Sequence, residues 1–314
     1  MDLSILIVNN NRPEFLKNCL RSIYSQTRKF QMRVAVMHNG GENGNPELEN
    51  SFGQVNFISG KQKRGFSANQ NELLNTFSQD SRYCLLLNED TVVMPGALEK
   101  MLQFMDDHSE AACAGAQLVF PDLRPQLSGG SFPSFLKEIF RFSGLGKIIL
   151  PQRVKIILGK YFSRLLPQEC RQYLKSFYSR QPYERMDYIS GCAMMMRSRA
   201  IRDIGLFDQG YIMYAEDLDW CRRAASRGWK NYLVTEARVI HYLNQARPAQ
   251  VMLWYEQSML KYFKKYNYSG MGIVICRIII AFICLLKIAY YYLWRSKEPV
   301  KASRQILEFM LCLR

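Results

Sequence analysis

The run Tyr83-Cys84-Leu85-Leu86-Leu87 passes directly into Asn88-Glu89-Asp90. Five apolar residues without a polar interruption suit a strand buried on both faces, as in the interior of a parallel sheet. Pro95-Gly96 follows, and then Leu98, Met101, Leu102 and Met105 recur at helical spacing. A buried parallel strand that ends in carboxylates before a turn and a helix is where open α/β sheets place ligands. Oxygen ligands there suit a hard divalent cation that holds a diphosphate. By residue type alone, Glu89 and Asp90 fit equally well as polar residues of the loop and the helix start.

The flanking chain repeats this alternation. Leu3–Val8 reads as a buried strand, Asn9 to Arg12 as a polar turn, and Pro13 as the first turn of a helix carrying Leu16, Cys19, Leu20 and Ile23. Arg33–Met37 and Val55–Ile58 read as strands, with a polar loop from His38 to Asn50 between them. Gly65 to Phe77 reads as a helix and Ala112–Phe120 as another strand. Alternating β and α with short links over residues 1–120 predicts an α/β fold built on a mostly parallel, doubly wound sheet. Pro121 to Pro133 is turn-rich. Residues 134–185 show amphipathic helical patches laced with Lys and Arg, expected as an insertion or flap.

A second acidic group sits in Tyr214-Ala215-Glu216-Asp217-Leu218-Asp219, after the aromatic residues Phe207 and Tyr211 and at the start of a helix. Three carboxylates in four positions exceed what a helix start needs, although dipole partners remain one reading. The Met194–Met196 run reads as core filling. Tyr232–Val234 and Arg238–Ile240 read as short strands, and His241 ends the second. His241 fits either a structural histidine or a ligand.

Charge separates the chain into parts. Lys137 to Arg185 holds 11 Lys or Arg against 3 Asp or Glu, and Lys261 to Arg314 holds 10 against 2, which together account for the whole net charge of +15. Such segments suit nucleic acid or an anionic membrane surface. The apolar content of the second favours the membrane, so no nucleic-acid partner is expected. Within it, Met271–Trp294 is about as long as a bilayer span. Its Leu, Ile, Val and Phe residues gain about 4–7 kcal/mol on insertion, and Arg277 with Lys287 costs about 5–7 kcal/mol. That balance predicts a helix in the membrane interface, with Tyr290–Tyr292 and Trp294 at headgroup level, rather than a span. A buried C-terminal helix pair is the other reading. The 9 cysteines stand singly, without zinc-type spacing. They read as thiols in a reducing compartment, and the chain opens on Leu3–Val8 without a basic leader, so the catalytic part is expected in the cytosol.

Taken in order, these stretches resemble a family 2 glycosyltransferase with the GT-A fold, in particular its bacterial rhamnosyltransferase-like branch. Ser4 to Pro13 with Cys19-Leu20-Arg21-Ser22-Ile23 resembles the opening strand, loop and helix. Arg64-Gly65-Phe66-Ser67-Ala68-Asn69-Gln70-Asn71 resembles the segment around the nucleotide-sugar. Asn88-Glu89-Asp90 stands where the family has its DxD-type metal motif. Ser190-Gly191-Cys192 and Tyr214 to Asp219 resemble the acceptor-side segment and the catalytic-base motif, and Ala237 to His241 the strand whose histidine completes the metal site.

Composition places a basic, apolar, membrane-associating helical tail over 267–314, and the resemblance implies a catalytic domain over residues 1–266. It implies Asp217 as general base with Glu216 beside it, and Asp90 and His241 as ligands of Mg²⁺ or Mn²⁺. Asn9, Asn11, Arg12, His38, Asn39, Arg64, Gly65, Phe66, Asn69, Asn88 and Glu89 would meet the nucleotide-sugar. Ser190, Gly191, Cys192 and Trp220 would face the acceptor. The expected reaction is inverting transfer from a dTDP- or UDP-sugar, rhamnose first, to a lipid-linked or oligosaccharide acceptor for a surface polysaccharide. The expected place is the cytoplasmic face of the inner membrane, peripherally bound. His38 departs from the pattern, because the family usually has an aspartate there that reads the base. Two other readings are a nucleotidyltransferase, which leaves Glu216-Asp217 without a role, and a non-catalytic membrane-associated nucleotide-sugar-binding protein.

Overall fold

The computed structural model describes residues 1–26, 29–40, 46–135, 137–138, 179, 181–211, 213–242, 249–266, 268–293 and 297–311. The expected basic insertion over 134–185 falls, apart from its ends, outside the described residues. The described chain forms two compact units.

The first unit is built on a strand buried on both faces. β1 (Leu3–Asn9) is enclosed at all of its positions. Leu3, Ile5 and Ile7 enter one core, and Leu6 and Val8 the other. β4 (Tyr83–Asn88) does the same, with Leu85 and Leu87 on one side and Cys84 and Leu86 on the other. Each such side chain gains about 1.5–3 kcal/mol on burial, which fixes the strand register and the covering of both faces. α1 (Pro13–Tyr24) and α4 (Ala97–Asp107) cover the first face through Leu16, Leu20, Ile23, Leu98, Met101 and Met105. α3 (Phe66–Phe77) covers the second with Leu73, Leu74 and Phe77.

Among the described residues the sheet has nine strands in the order β3-β2-β1-β4-β10-β6-β11-β5, with β8 beside β11. Here β2 is Met32–His38, β3 Asn56–Ser59, β5 Thr91–Val93, β6 Ala111–Val119, β8 Tyr183–Met186, β10 Ala193–Arg197 and β11 Lys230–His241. β1, β2, β3, β4, β6 and β11 run one way; β10, β5 and β8 run against them. The sheet is therefore mostly parallel and doubly wound. β7 (Gly129–Gly130) and β9 (Tyr188–Ile189) form a small antiparallel pair. Met195 fills the first core, and Met194 and Met196 the second.

Register places the chemistry at one end. Asn9 lies opposite His38 and Val8 opposite Asn88, so three neighbouring parallel strands finish side by side. His241 closes β11 opposite Thr91.

The structure revises some expected elements. The polar loop to Asn50 contains a short helix, α2 (Pro46–Ser51), anchored by the buried Leu48. The two strands expected over 232–240 are one, broken in register between Val234 and Arg238, where the polar pair Thr235-Glu236 stands. α5 (Ser198–Ile204) and α6 (Glu216–Ser226) complete this unit.

The second unit holds α7 (Ala249–Lys265), α8 (Gly270–Leu293) and α9 (Lys297–Leu311). α8 buries Cys276, Ile280, Ala281 and Cys284 against Ile306 and Met310 of α9. Arg277 turns the same way, its Nε and Nη2 donating to the carbonyls of Met310 and Phe309 at 3.0 and 3.1 Å. Those carbonyls lie in the last turn of a helix, where a cation is favoured. On the other side, Met271, Val274, Ile275, Ile278, Phe282, Leu285 and Leu286 are exposed, Ile278 at 63% and Phe282 at 60%. Over Gly270–Ala289 the helix is long and apolar enough to cross a membrane, with a mean hydropathy of 2.6. Helix pairing and an apolar outer face thus coexist. The side chains of the expected aromatic anchors, Tyr290–Tyr292 and Trp294, lie outside the described residues.

Candidate active site

The loop after β1 and the loop after β4 are tied together by charge. The Asn10 backbone N–H donates to Glu89 Oε2 at 2.7 Å. Arg12 reaches Glu89 Oε1 at 3.8 Å and donates from Nη1 to Asp90 Oδ2 at 3.1 Å. Glu89 is buried, and burial pushes its carboxyl up to about 7 against the opposing pull of the Asn10 N–H and Arg12. Glu89 therefore holds the loop of Asn10 to Arg12, while Asp90 turns its other oxygen to β11. There His241 Nε2 lies 3.5 Å from Asp90 Oδ1. The backbone N–H of Tyr242 donates to the Asp90 carbonyl at 2.9 Å and locks the two loops in register.

A carboxylate and an imidazole nitrogen at this spacing fit Mg²⁺ or Mn²⁺. Among the described residues no group of three His, Cys, Asp or Glu gathers. Asp90 and His241 would thus hold an ion together with further oxygens, such as those of a diphosphate. Magnesium sites are commonly of that kind.

Asn39 and Arg64 form the adjoining wall. The Asn39 side chain donates to Asn10 Oδ1 at 2.9 Å and to the Arg64 carbonyl at 3.0 Å, and accepts from the Arg64 N–H at 2.8 Å. Asn69 is fully enclosed and donates back to the carbonyls of Arg64 and Gly65, so it shapes this loop from inside. His38 is enclosed as well. Its Nδ1 pairs with Asn9 Nδ2 at 2.8 Å, and its ring stacks on Phe57 at 5.6 Å. Glu49 Oε1 comes within 3.3 Å of Nε2 but off the line of a hydrogen bond, leaving that nitrogen without one. Burial depresses the His38 pKa, with Glu49 opposing. Asn11 is exposed, with a left-handed φ of 62° at the apex of the first loop.

The second acidic group lies beyond Phe66. A Cβ on Gly191 would stand 3.6 Å from the Phe66 ring and 3.8 Å from the Asp217 side chain, so Gly191 separates the two by little more than its own backbone. Asp217 accepts from the Gly191 N–H at 3.0 Å and from the Leu218 N–H at 2.8 Å. Glu216 Oε2 is buried without a hydrogen bond. Burial raises both carboxyls, and the Asp217 charge raises Glu216 further, while the backbone donors pull Asp217 back down. Both carboxyls thus hold their protons to higher pH than exposed ones do, Glu216 with no hydrogen bond to its Oε2 and Asp217 with two from the backbone. Just before them, Tyr214 and Ala215 hold φ of 70° and 64°. Two consecutive left-handed residues other than glycine store strain of the sort found at functional sites.

Other residues stand apart. Trp220, expected on the acceptor side, is wholly enclosed in the core and donates from Nε1 to the Gly205 carbonyl at 2.8 Å. That placement corrects the expectation, because no surface of the side chain is open to an acceptor. Asp219 is also enclosed and is paired with Arg223 at 2.9 Å. Cys192 is buried, with its carbonyl accepting from the Asn88 N–H at 2.9 Å, so these two tie β4 to β10 through backbone. Ser190 precedes Gly191, and its N–H donates to the Ser128 carbonyl at 3.0 Å. Asn71, at the end of the segment that resembles the nucleotide-sugar loop, exchanges two hydrogen bonds with the Phe207 backbone at 2.9 and 3.0 Å and so pins the loop behind Phe66. Gln126, 3.0 Å from His241 Nδ1, gives no periodic or charge signal in the sequence.

This sheet order, with acidic residues at the strand ends, agrees with the GT-A fold that the sequence resemblance implies. The family described as "Glycosyltransferase like family 2" matches residues 2–257, and the chain belongs to it. The rhamnosyltransferase WbbL of Escherichia coli K12 is 23% identical over 269 residues, covering 83% of this chain and 92% of that protein. The N-acetylglucosaminyl-diphospho-decaprenol L-rhamnosyltransferase of Mycobacterium tuberculosis H37Rv is 23% identical over 163 residues, covering 51% of this chain and 47% of that protein. Among solved structures, GalNAc-T7 with UDP, GalNAc and Mn²⁺ superposes with a TM-score of 0.59 at 13% identity, over 87% of this chain and 51% of that one. This chain thus spans about half the length of that structural neighbour, and the likeness concerns the fold.

Proposed function

We propose that this glycosyltransferase is metal-dependent and inverting. In this reading it moves a sugar, rhamnose first, from a dTDP- or UDP-sugar to a lipid-linked or oligosaccharide acceptor. The observation that carries the reading is Asp217, a half-buried carboxylate aimed by two backbone N–H groups and held one glycine away from Phe66. The rhamnosyltransferase names of two relatives support the choice of sugar, and the diphospho-decaprenol in one supports a lipid-linked acceptor.

The reaction divides between the two acidic groups. Asp217 takes the proton of the acceptor hydroxyl as that oxygen bonds to the anomeric carbon from the face opposite the leaving group. The bond from the anomeric carbon to the diphosphate breaks, and the diphosphate leaves with the electron pair. Asp90 and His241 would hold Mg²⁺ or Mn²⁺, which when bound neutralises charge on the diphosphate. Arg12, half exposed beside Asp90, would add a cation on the same side. Phe66 and the loop of Arg64 and Gly65 would enclose the donor, and Ser190-Gly191 would border the acceptor.

The test is hydrolysis and transfer with dTDP-rhamnose and a panel of UDP- and GDP-sugars, with and without Mn²⁺ or Mg²⁺, using Asp90→Ala as the blank. Nucleoside diphosphate release from one donor, lost in the variant, is expected. Pyrophosphate release from a nucleoside triphosphate instead would sink the reading.

The tail over 267–314 serves, in this proposal, to hold the catalytic domain over 1–266 on the cytoplasmic face of an anionic membrane. The apolar face of α8 offers Ile278 and Phe282 outward, while Arg277 is turned to α9. The protein is expected to float with vesicles of anionic phospholipid, and Ile278→Glu with Phe282→Glu to sediment alone. Flotation of that folded double variant would count against the apolar face.

A further inference from the structure

Gln126 touches His241 at two places. Its Nε2 donates to the His241 carbonyl at 2.7 Å and to the Val119 carbonyl at 3.1 Å. Only the amide nitrogen can donate, so these carbonyls fix which way the amide is turned. Oε1 is thereby left 3.0 Å from His241 Nδ1. An amide oxygen only accepts. The hydrogen of the neutral imidazole must then sit on Nδ1, and the lone pair of Nε2 is directed to the side of Asp90.

Gln126 is itself clamped. Its N–H donates to the Leu118 carbonyl at 2.8 Å. Its carbonyl accepts from Gln117 Nε2 at 3.1 Å and from Ser128 Oγ at 3.0 Å. Ser128 Oγ in turn accepts from the Leu118 N–H at 2.8 Å. Gln117, Gln126 and Ser128 are all buried. A loop that needed only a tie to β11 would be served by the bonds from Nε2. The bond to Nδ1 adds something else, a set tautomer.

We propose that Gln126 is a positioning residue that holds His241 with its hydrogen on Nδ1, so that Nε2 faces Asp90 ready to receive a cation. The inference rests on the proposed metal role of Asp90 and His241. Partners that fix a ligating histidine in this way are worth about 10–100-fold in metal affinity.

Two measurements on the full chain test it. The first uses the unaltered protein without metal. The chain has only 3 histidines, and long-range ¹H–¹⁵N spectra report the tautomer of each, with His241 assigned by the signal lost in His241→Ala. Hydrogen on Nδ1 is expected; hydrogen on Nε2 overturns the proposal. The second is Mn²⁺ binding followed by electron paramagnetic resonance. Gln126→Met is expected to weaken it about 10–100-fold, and His241→Ala at least as much. Weakening in His241→Ala with none in a folded Gln126→Met overturns this inference alone. No change in His241→Ala overturns the metal reading and this inference with it. If Gln126→Met does not fold, the tautomer of the unaltered protein decides.

Discussion

Asp217→Asn is expected to lower the rate of sugar transfer by about 10²–10⁴-fold, the usual worth of a general base, while the affinity for the donor nucleotide changes little. The separation follows from geometry. Asp217 faces Gly191, on the proposed acceptor side, and its hydrogen bonds run to the backbone N–H groups of Gly191 and Leu218 rather than to the loops of Arg12, Glu89 and Asp90. The substitution sets an amide NH₂ against one of two backbone donors, at a cost of about 0.5–1.5 kcal/mol for a lost hydrogen bond. That loss is offset in part because a half-buried charge is removed. The comparison that fixes the assignment is Glu216→Gln. Glu216 is enclosed, and burial with the Asp217 charge pushes its carboxyl up, so an amide there is expected to keep more activity. A larger loss in Glu216→Gln than in Asp217→Asn would reverse the two roles, and retained transfer in Asp217→Asn would refute both. Rates from steady-state kinetics and donor affinity from calorimetry separate these outcomes.

The same pair sets a pH dependence. Burial is the first cause of the raised pKa of both carboxyls. Transfer is therefore expected to rise with pH as Asp217 loses its proton, and to level once it is charged. Stability moves the opposite way. Between the ordinary carboxylate pKa and the raised one, the folded chain binds more protons than the unfolded chain, so stability falls as pH rises through that window. Activity and stability trade against each other across one titration.

The fold was legible wherever burial on both faces left a continuous apolar run. β1 and β4 carry no polar side chain pointing to water in their interiors, and α1 shows Pro13 followed by a single apolar face. β5 was not legible, because three residues after an acidic loop carry too little pattern to register as a strand. β11 was read as two strands because Thr235-Glu236 interrupts its alternation at the break in register. The acidic residues of the site were visible as types, but their division of labour was not. Asp219 looks the same as Asp217 in the sequence, yet Arg223 one turn later engages it in the core. Gln126 was invisible, since its role depends on a bond to a histidine 115 positions away. A polar side chain that acts through one long-range hydrogen bond leaves no periodicity behind.

Removing Asp90 should affect metal-assisted and metal-free binding with opposite signs. With Mn²⁺ present, Asp90→Ala is expected to weaken binding of dTDP or UDP about 100-fold or more, beyond the 10–100-fold typical of an outer partner, because the proposed carboxylate ligand is lost and His241 remains. Without metal, the same variant should bind the diphosphate no worse and by charge somewhat better. Asp90 is a negative group at the strand ends, and it engages the Arg12 guanidinium at 3.1 Å. Its loss frees that cation for phosphate oxygens and takes away a repelling carboxylate. A residue that merely braced the loop would weaken both kinds of binding together. Calorimetric titrations of the nucleotide into the unaltered protein and Asp90→Ala, with Mn²⁺ and with chelator, give four affinities. A crossing of the two pairs supports a metal ligand that repels the bare nucleotide. Equal losses in both conditions would reduce Asp90 to a structural partner of Arg12, and the metal-dependent reading would fall with it.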